Sequence, residues 1–442
     1  MNQSNLLKAV VTILLGLCTI SSSFGAGAKQ TTLFRFPNLD TGIYPYGGVV
    51  VDASGVVYGT THEGGAHNFG TVFKLVPPGN KQQTWTESVL YSFSGGDDGE
   101  YPYTALTFDG SGNLYGTAYR GQYGTATIFE LSPNGDKWTF STIFSFDPAV
   151  FGNAYVGSPL IFDQAGNLYG ESTSGGQNNL GFVYELTPSK HGGAWTGSIA
   201  YSFRGEAKGD GASPDGGLAF DSNDNLYGVT TYQGPRCTAK HCPCHAEGCG
   251  IVFQLHPPAH KGRPWKENVL YGFQGKGDGG LPEGGVTVDT DGNLFGTTTV
   301  GGKTTGFNGL GVVFELSPQS NGSWTDKTIY AFQTLGSFHP YSGVVMDATG
   351  KLYGTTFDGG NLKKCFSGAC GTVYQLVPPK QNGAWKFTIL HGFGGAPDGA
   401  FLVGTVFLQG GKLYGAAADG GDEKTQECKN AGGCGLVYQT TP

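Results

Sequence analysis

Gly112-Asn113-Leu114-Tyr115-Gly116-Thr117 is one of seven versions of a single phrase, and its recurrence decides the fold. The other versions centre on Val57-Tyr58-Gly59, Leu168-Tyr169-Gly170, Leu226-Tyr227-Gly228, Leu294-Phe295-Gly296, Leu352-Tyr353-Gly354 and Leu413-Tyr414-Gly415. Successive aromatic residues lie 57, 54, 58, 68, 58 and 61 positions apart, periods that point to solenoids, propellers or arrays. Each unit reads as four short strands. An apolar stretch such as Gly48-Val49-Val50-Val51 runs through a tight turn into the Tyr-Gly strand. A glycine-rich loop then leads to a Val-Phe strand such as Gly70-Thr71-Val72-Phe73, and a tryptophan strand follows, Trp85 to Phe93 in the first unit. Four antiparallel strands per unit, repeated seven times, predict an all-β, seven-bladed β-propeller.

The ends of the chain sharpen that expectation. The seventh unit, from Phe401 to Pro442, lacks a tryptophan strand, while Thr31-Thr32-Leu33-Phe34-Arg35-Phe36 precedes the first unit and matches the fourth-strand ending Leu90-Tyr91-Ser92-Phe93. An N-terminal strand completing the last blade closes the ring and removes its open edges. A single propeller over residues 29–442 is therefore expected, behind a signal peptide over residues 1–28. That leader has Lys8, an apolar run from Ala9 to Ile20, and Ala26-Gly27-Ala28 as a cleavage sequence. The run is too short for a comfortable membrane span.

Composition agrees. Glycine accounts for 78 of 442 residues, aromatics for 13% and charged residues for only 14%, a mix suited to strands and turns rather than helices. The formal charge of -8 offers no basic patch for nucleic acid or an anionic membrane. A secreted, monomeric protein is the expectation, with a carbohydrate, a peptide or cell-envelope material as its partner.

The repeated Gly-Asn-Leu-Tyr-Gly-Thr-Thr, Gly-Gly and Gly-x-Val-Phe-x-Leu elements resemble the GloVer tandem repeats of bacterial secreted and surface proteins. The resemblance spans essentially the whole chain after the leader. It implies export and a repeat β fold, and it brings no catalytic residues with it.

The seven copies can be read against one another. Trp85, Trp138, Trp195, Trp265, Trp324 and Trp385 share one place, which favours packing between blades over a sugar-stacking platform. Asp52, Asp109, Asp163, Asp221, Asp289 and Asp347 also share one place, where bonding to a tight turn is expected and calcium ligation is the alternative. Asp98, Asp210, Asp278 and Asp398 form a rim set of Asp-Gly turns, with cation binding as their alternative.

Function is sought where the blades differ. The residues opening the innermost strands are Tyr46, Tyr103, Gly157, Asp215, Glu283, Tyr341 and Val403; those just past the Tyr-Gly strands include His62, Tyr119, Phe357, Arg120 and Tyr232. In a propeller these positions meet at the channel mouth, where aromatic faces, acids and hydroxyls suit a sugar-like ligand. Unconstrained drift is the bland alternative. Asp215 with Glu283, or His62 with Tyr46 or Tyr119, are the acid/base candidates of a second hypothesis, a polysaccharide hydrolase or lyase. A purely structural repeat protein is the third.

Eight cysteines follow the leader, all between second and third strands. Cys249, Cys370 and Cys434 each precede a Val-Phe or Val-Tyr strand and have partners five or six residues upstream in Cys244, Cys365 and Cys428, leaving Cys237 with Cys242. Disulfides are expected in an exported chain. The rival is zinc at Cys237, His241, Cys242, Cys244, His245 and Cys249; otherwise no cofactor is expected.

Overall fold

The computed structural model describes residues 27–442, apart from 80–83, 190–192, 236–243, 245–247, 261–262, 305–308, 334–335, 362–364, 366–369, 382 and 431. Seven sheets of four antiparallel strands make a propeller, as the repeat predicts. The first blade has the simplest order: Val49–Val51 innermost, then Val57–Thr61, Thr71–Val76 and Thr86–Ser92.

The repeated Tyr-Gly and Val-Phe phrases are two halves of one contact. Gly59 lies directly opposite Phe73 across the second and third strands, and a Cβ on Gly59 would stand 2.7 Å from the phenyl ring. The glycine leaves room for a fully buried aromatic to lie over the sheet. The same pair recurs as Gly116 with Phe129, Gly170 with Tyr184, Gly228 with Phe253, Gly296 with Phe314, Gly354 with Tyr374 and Gly415 with Tyr438.

The tryptophans join blades. Trp138, Trp195, Trp265, Trp324 and Trp385 pack edge-on against Tyr58, Tyr115, Tyr169, Tyr227 and Phe295 of the preceding blade, at 5.7 to 6.3 Å between ring centroids. Trp85 packs into the cluster holding Tyr414 of the last blade. Each aspartate of the first-to-second-strand turn is engaged locally. Asp52 Oδ1 accepts from the Ser54 and Val56 N–H groups at 2.9 and 3.0 Å, and Oδ2 accepts from the Tyr58 hydroxyl at 3.2 Å. The rim set behaves alike: Asp98 Oδ2 accepts from the Tyr91 hydroxyl and the Ser94 N–H, each at 2.8 Å.

Closure follows from the ends of the chain. The last blade runs Phe407–Gln409, Lys412–Ala417 and Gly433–Thr441, and its outermost strand is Lys29–Arg35. The strand starts two residues earlier than its sequence match suggests, because Lys29 and Gln30 already pair with Thr441 and Thr440. Phe36, just beyond it, is fully buried and packs on Phe73 of the first blade at 5.1 Å.

Cys244 bonds to Cys249, Cys365 to Cys370 and Cys428 to Cys434, as their spacing predicts. Disulfides of this kind point to an extracytoplasmic protein. Cys237, His241, Cys242 and His245 lie outside the described residues, as does the expected leader through Ala26. Among the described residues no helix is long and apolar enough to cross a membrane.

Candidate functional site

One backbone device builds the channel mouth. Tyr44, Tyr101, Ser213, Leu281, His339 and Phe401 all have φ between 52° and 58°, the left-handed region that non-glycine residues avoid. Each stands two residues before a channel-mouth residue: Tyr46, Tyr103, Asp215, Glu283, Tyr341 and Val403. The strained residue is held from both sides. Its N–H donates to the preceding blade, as from Tyr101 to Phe69 O at 2.8 Å and from Leu281 to Cys249 O at 2.9 Å. At Tyr44, Leu281 and His339 the carbonyl also accepts from the loop after the second strand, from His62 N, Thr299 N and Phe357 N at 3.0 to 3.1 Å. Strain over-determined in this way aims the side chain two residues on into the mouth, and it brings the two sets of variable residues together.

The result is a cavity of about 460 Å³. All seven residues that open the innermost strands line it: Tyr46, Tyr103, Gly157, Asp215, Glu283, Tyr341 and Val403. Tyr119 and Phe357 line it as well. His62, Arg120 and Tyr232 do not. His62 lies behind the wall, 5.0 Å from the Tyr101 ring and 5.4 Å from that of Tyr46, and burial pushes its imidazole down to about 4. Arg120 is exposed and donates to Glu100 at 3.1 Å. Tyr232 pairs with Ala212 within its own blade.

The lining is divided by chemistry. One arc is aromatic: Tyr46, Tyr103, Tyr119 and Tyr155 follow one another with ring centroids 5.3, 6.4 and 4.7 Å apart. Across the ring, Tyr341 meets Phe357 at 5.2 Å. Tyr155 was not anticipated from the sequence. It lies over Gly157, which leaves the third blade without a side chain of its own at the mouth, and that glycine was the available clue.

The other arc is acidic. Asp215 and Glu283 open adjacent innermost strands, whose backbones are joined by Gly285 N–H donating to Gly216 O at 2.9 Å. Burial raises the Asp215 carboxyl to about 6. Burial, with the Asp215 charge adding to it, raises Glu283 to about 8. A third acid, Glu171, is 1% exposed. Its Oε2 accepts from Gly217 N–H at 3.0 Å, and its Oε1 is buried with no partner. Burial and then the Asp215 charge hold this carboxyl well above its usual range. Sequence reasoning missed Glu171 although the signal was present, since the blade reads Tyr-Gly-Glu-Ser where three others read Tyr-Gly-Thr and a fourth Phe-Gly-Thr. Among the described residues lining the cavity there is no lysine, arginine or histidine.

A model described as the Gloeobacter/Verrucomicrobia repeat matches residues 18–241 and 243–428. No curated protein matches the chain. Among solved structures, a provisionally assigned 6-phosphogluconolactonase from Bacteroides uniformis has 12% identity and a TM-score of 0.45, covering 77% of this chain and 83% of its own. An inulosucrase from Halalkalicoccus jeotgali bound to kestose also has 12% identity, with a TM-score of 0.40 and coverage of 84% and 93%. Likenesses this distant carry no argument about chemistry here.

Proposed function

The chain belongs to the Gloeobacter/Verrucomicrobia repeat family, and from that premise we propose that it is an exported binding propeller whose channel mouth takes a carbohydrate. The observation that carries this reading is the lining itself. A continuous tyrosine arc faces two carboxyl groups across a cavity of about 460 Å³, a size suited to a small ligand. Pyranose C–H faces stack on aromatic rings, while carboxyl and phenol groups exchange hydrogen bonds with sugar hydroxyls. Export is supported by the three disulfides and the apolar leader from Ala9 to Ile20. N-terminal sequencing of the mature protein tests it, with cleavage near Ala28 expected.

Screening on glycan and peptide arrays tests the ligand class. The expected result is a glycan hit lost when Tyr46, Tyr103 and Tyr341 are replaced together by alanine, with the thermal melt retained. Unchanged binding in that variant, or hits confined to peptides, would refute the reading.

One observation favours a second reading, glycoside hydrolysis. Asp215 at about 6 and Glu283 at about 8 lie on either side of neutrality, so one is charged while the other holds a proton. That is the division of labour a glycosidase needs. Glu283 would protonate the leaving oxygen as the glycosidic C–O bond breaks, and Asp215 would take a proton from the attacking water. Depolymerisation of the bound glycan, abolished by Glu283→Gln with binding intact, would replace the binding reading with this one.

A further inference from the structure

We propose that the cavity selects a sugar bearing a protonated amine, such as a β-1,4-linked glucosamine oligomer, over its neutral N-acetylated counterpart. The inference rests on the carbohydrate reading above and narrows it.

The charge of the cavity is one-sided. Asp215 and Glu283 line it, and no cationic side chain among the described residues does so. Arg120, the nearby guanidinium on the same loop face, is already paired with Glu100. Carboxyls drawn from water without a counter-cation are costly, so the fold carries an electrostatic debt that a cationic ligand relieves.

Glu171 shows that this acidity is additional to what the propeller needs. At its position the hydroxyls of Thr60, Thr297 and Thr355 donate to Thr104 O, Ser342 O and Gly404 O of the next blade, at 3.3, 2.9 and 3.3 Å. A threonine therefore suffices to tie neighbouring blades. Glu171 makes the equivalent link to Gly217 N–H but also places a second carboxyl oxygen, enclosed and unpartnered, behind Asp215. It stands within reach of the Asp215 charge, so a cation at the wall that Asp215 and Glu283 form would favour ionisation of this acid as well.

An ammonium group matches this wall in a way a hydroxyl or acetamide does not. It donates three hydrogen bonds and carries the missing charge. The neighbouring tyrosine faces add cation–π attraction while stacking on the sugar ring. A bare metal ion is the poorer match, since no group of three His, Cys, Asp or Glu side chains among the described residues is arranged to hold one.

Titration calorimetry of the full mature protein, in near-neutral buffer where Asp215 is ionised and contact with it keeps the amine protonated, compares the glucosamine tetramer with the N-acetylglucosamine tetramer. The amine form is expected to bind about tenfold more tightly, as a charge-assisted contact would give. Asp215→Asn and Glu283→Gln, which keep shape, should each narrow that preference, the amine tetramer losing more affinity than the neutral tetramer, which loses at most a hydrogen bond to the same side chain. Added salt should weaken only the amine form. Equal or tighter binding of the neutral tetramer overturns charge selection and leaves the carbohydrate reading standing. Failure of both tetramers, with no hit on the glycan array, overturns both.

Discussion

Glu283 links the mouth of the channel to the stability of the whole protein through its proton. Its carboxyl is raised from 4.5 to about 8, so the folded chain holds a proton that the unfolded chain releases above pH 4.5. Stability from this group is therefore full below pH 4.5 and is lost as pH rises towards 8. Asp215 and Asp419 act in the same sense between 3.8 and about 6, and Glu87 does so up to about 7. His62, lowered from 6.5 to about 4, acts in the opposite sense. The expected outcome is a melting temperature that falls from mildly acidic to mildly alkaline pH, and a shallower fall in Glu283→Gln. An unaltered slope in that variant would show that Glu283 does not carry the proton. A second residue-scale prediction concerns the glycine under the third-strand aromatic. Gly59→Ala places a methyl group against the Phe73 ring and should cost about 1–3 kcal/mol by overpacking, read from the urea midpoint. Phe73→Leu in the same chain should recover part of the loss, and additive losses would deny the contact. Which residues were legible follows from the same logic. The seven residues opening the innermost strands could be read because the repeat aligns them. Glu171 and Tyr155 escaped because they sit where other blades carry ordinary strand or loop residues. The left-handed residues two positions before the mouth residues escaped because Tyr, Ser, Leu, His and Phe give no hint of a positive φ.

At the scale of elements, the closing strand takes its sheet partner from the far end of the sequence. Lys29–Arg35 pairs with Gly433–Thr441 over six residue pairs, and Phe36 anchors the strand's end against the first blade. Its existence was legible because the last repeat lacks a strand and the first has a surplus one. Its exact start was not, because Lys29 and Gln30 lack the alternation of a strand and are ordered by their partners across the sheet. Deleting residues 29–36 should abolish the cooperative melt, since it exposes the edge of the last blade and removes the first blade's link to it. A milder test is Phe36→Ala, expected to cost about 3–5 kcal/mol for a fully enclosed phenyl ring. The Cys428–Cys434 disulfide stiffens the loop into the strand that receives Lys29–Arg35. Its removal by Cys428→Ser with Cys434→Ser should cost about 2 kcal/mol, given the short loop it closes. A loss as large as that of Phe36→Ala would mean that the bridge, rather than the aromatic anchor, carries closure.

Over the whole molecule, seven nearly equivalent blades support a mouth that is not seven-fold. Tyrosines from the first three blades form one arc, acids from the fourth and fifth another, and Tyr341 with Phe357 completes the sixth blade's share. Sameness serves closure and difference serves the ligand, so the two can be separated by experiment. In the second blade, Thr127–Asn134 turns directly into Lys137–Ser145 through the exposed Gly135 and Asp136. These are the third and fourth strands of that sheet. Lys29 lies opposite Thr441, so a short linker can join these two positions as an ordinary hairpin. A chain opened between Gly135 and Asp136 would then begin with a fourth strand and end with a third, reproducing the native closure in another blade. If closure depends on the ring and not on the particular strand, this permutant should melt in one cooperative transition and bind the same glycan with unchanged affinity, because every mouth residue keeps its neighbours. Binding retained with a broad, multi-step melt would mean that the native strand contributes more than its place in the sheet. A cooperative melt with binding lost would mean that the second blade's outer edge shapes the mouth across the full width of the sheet.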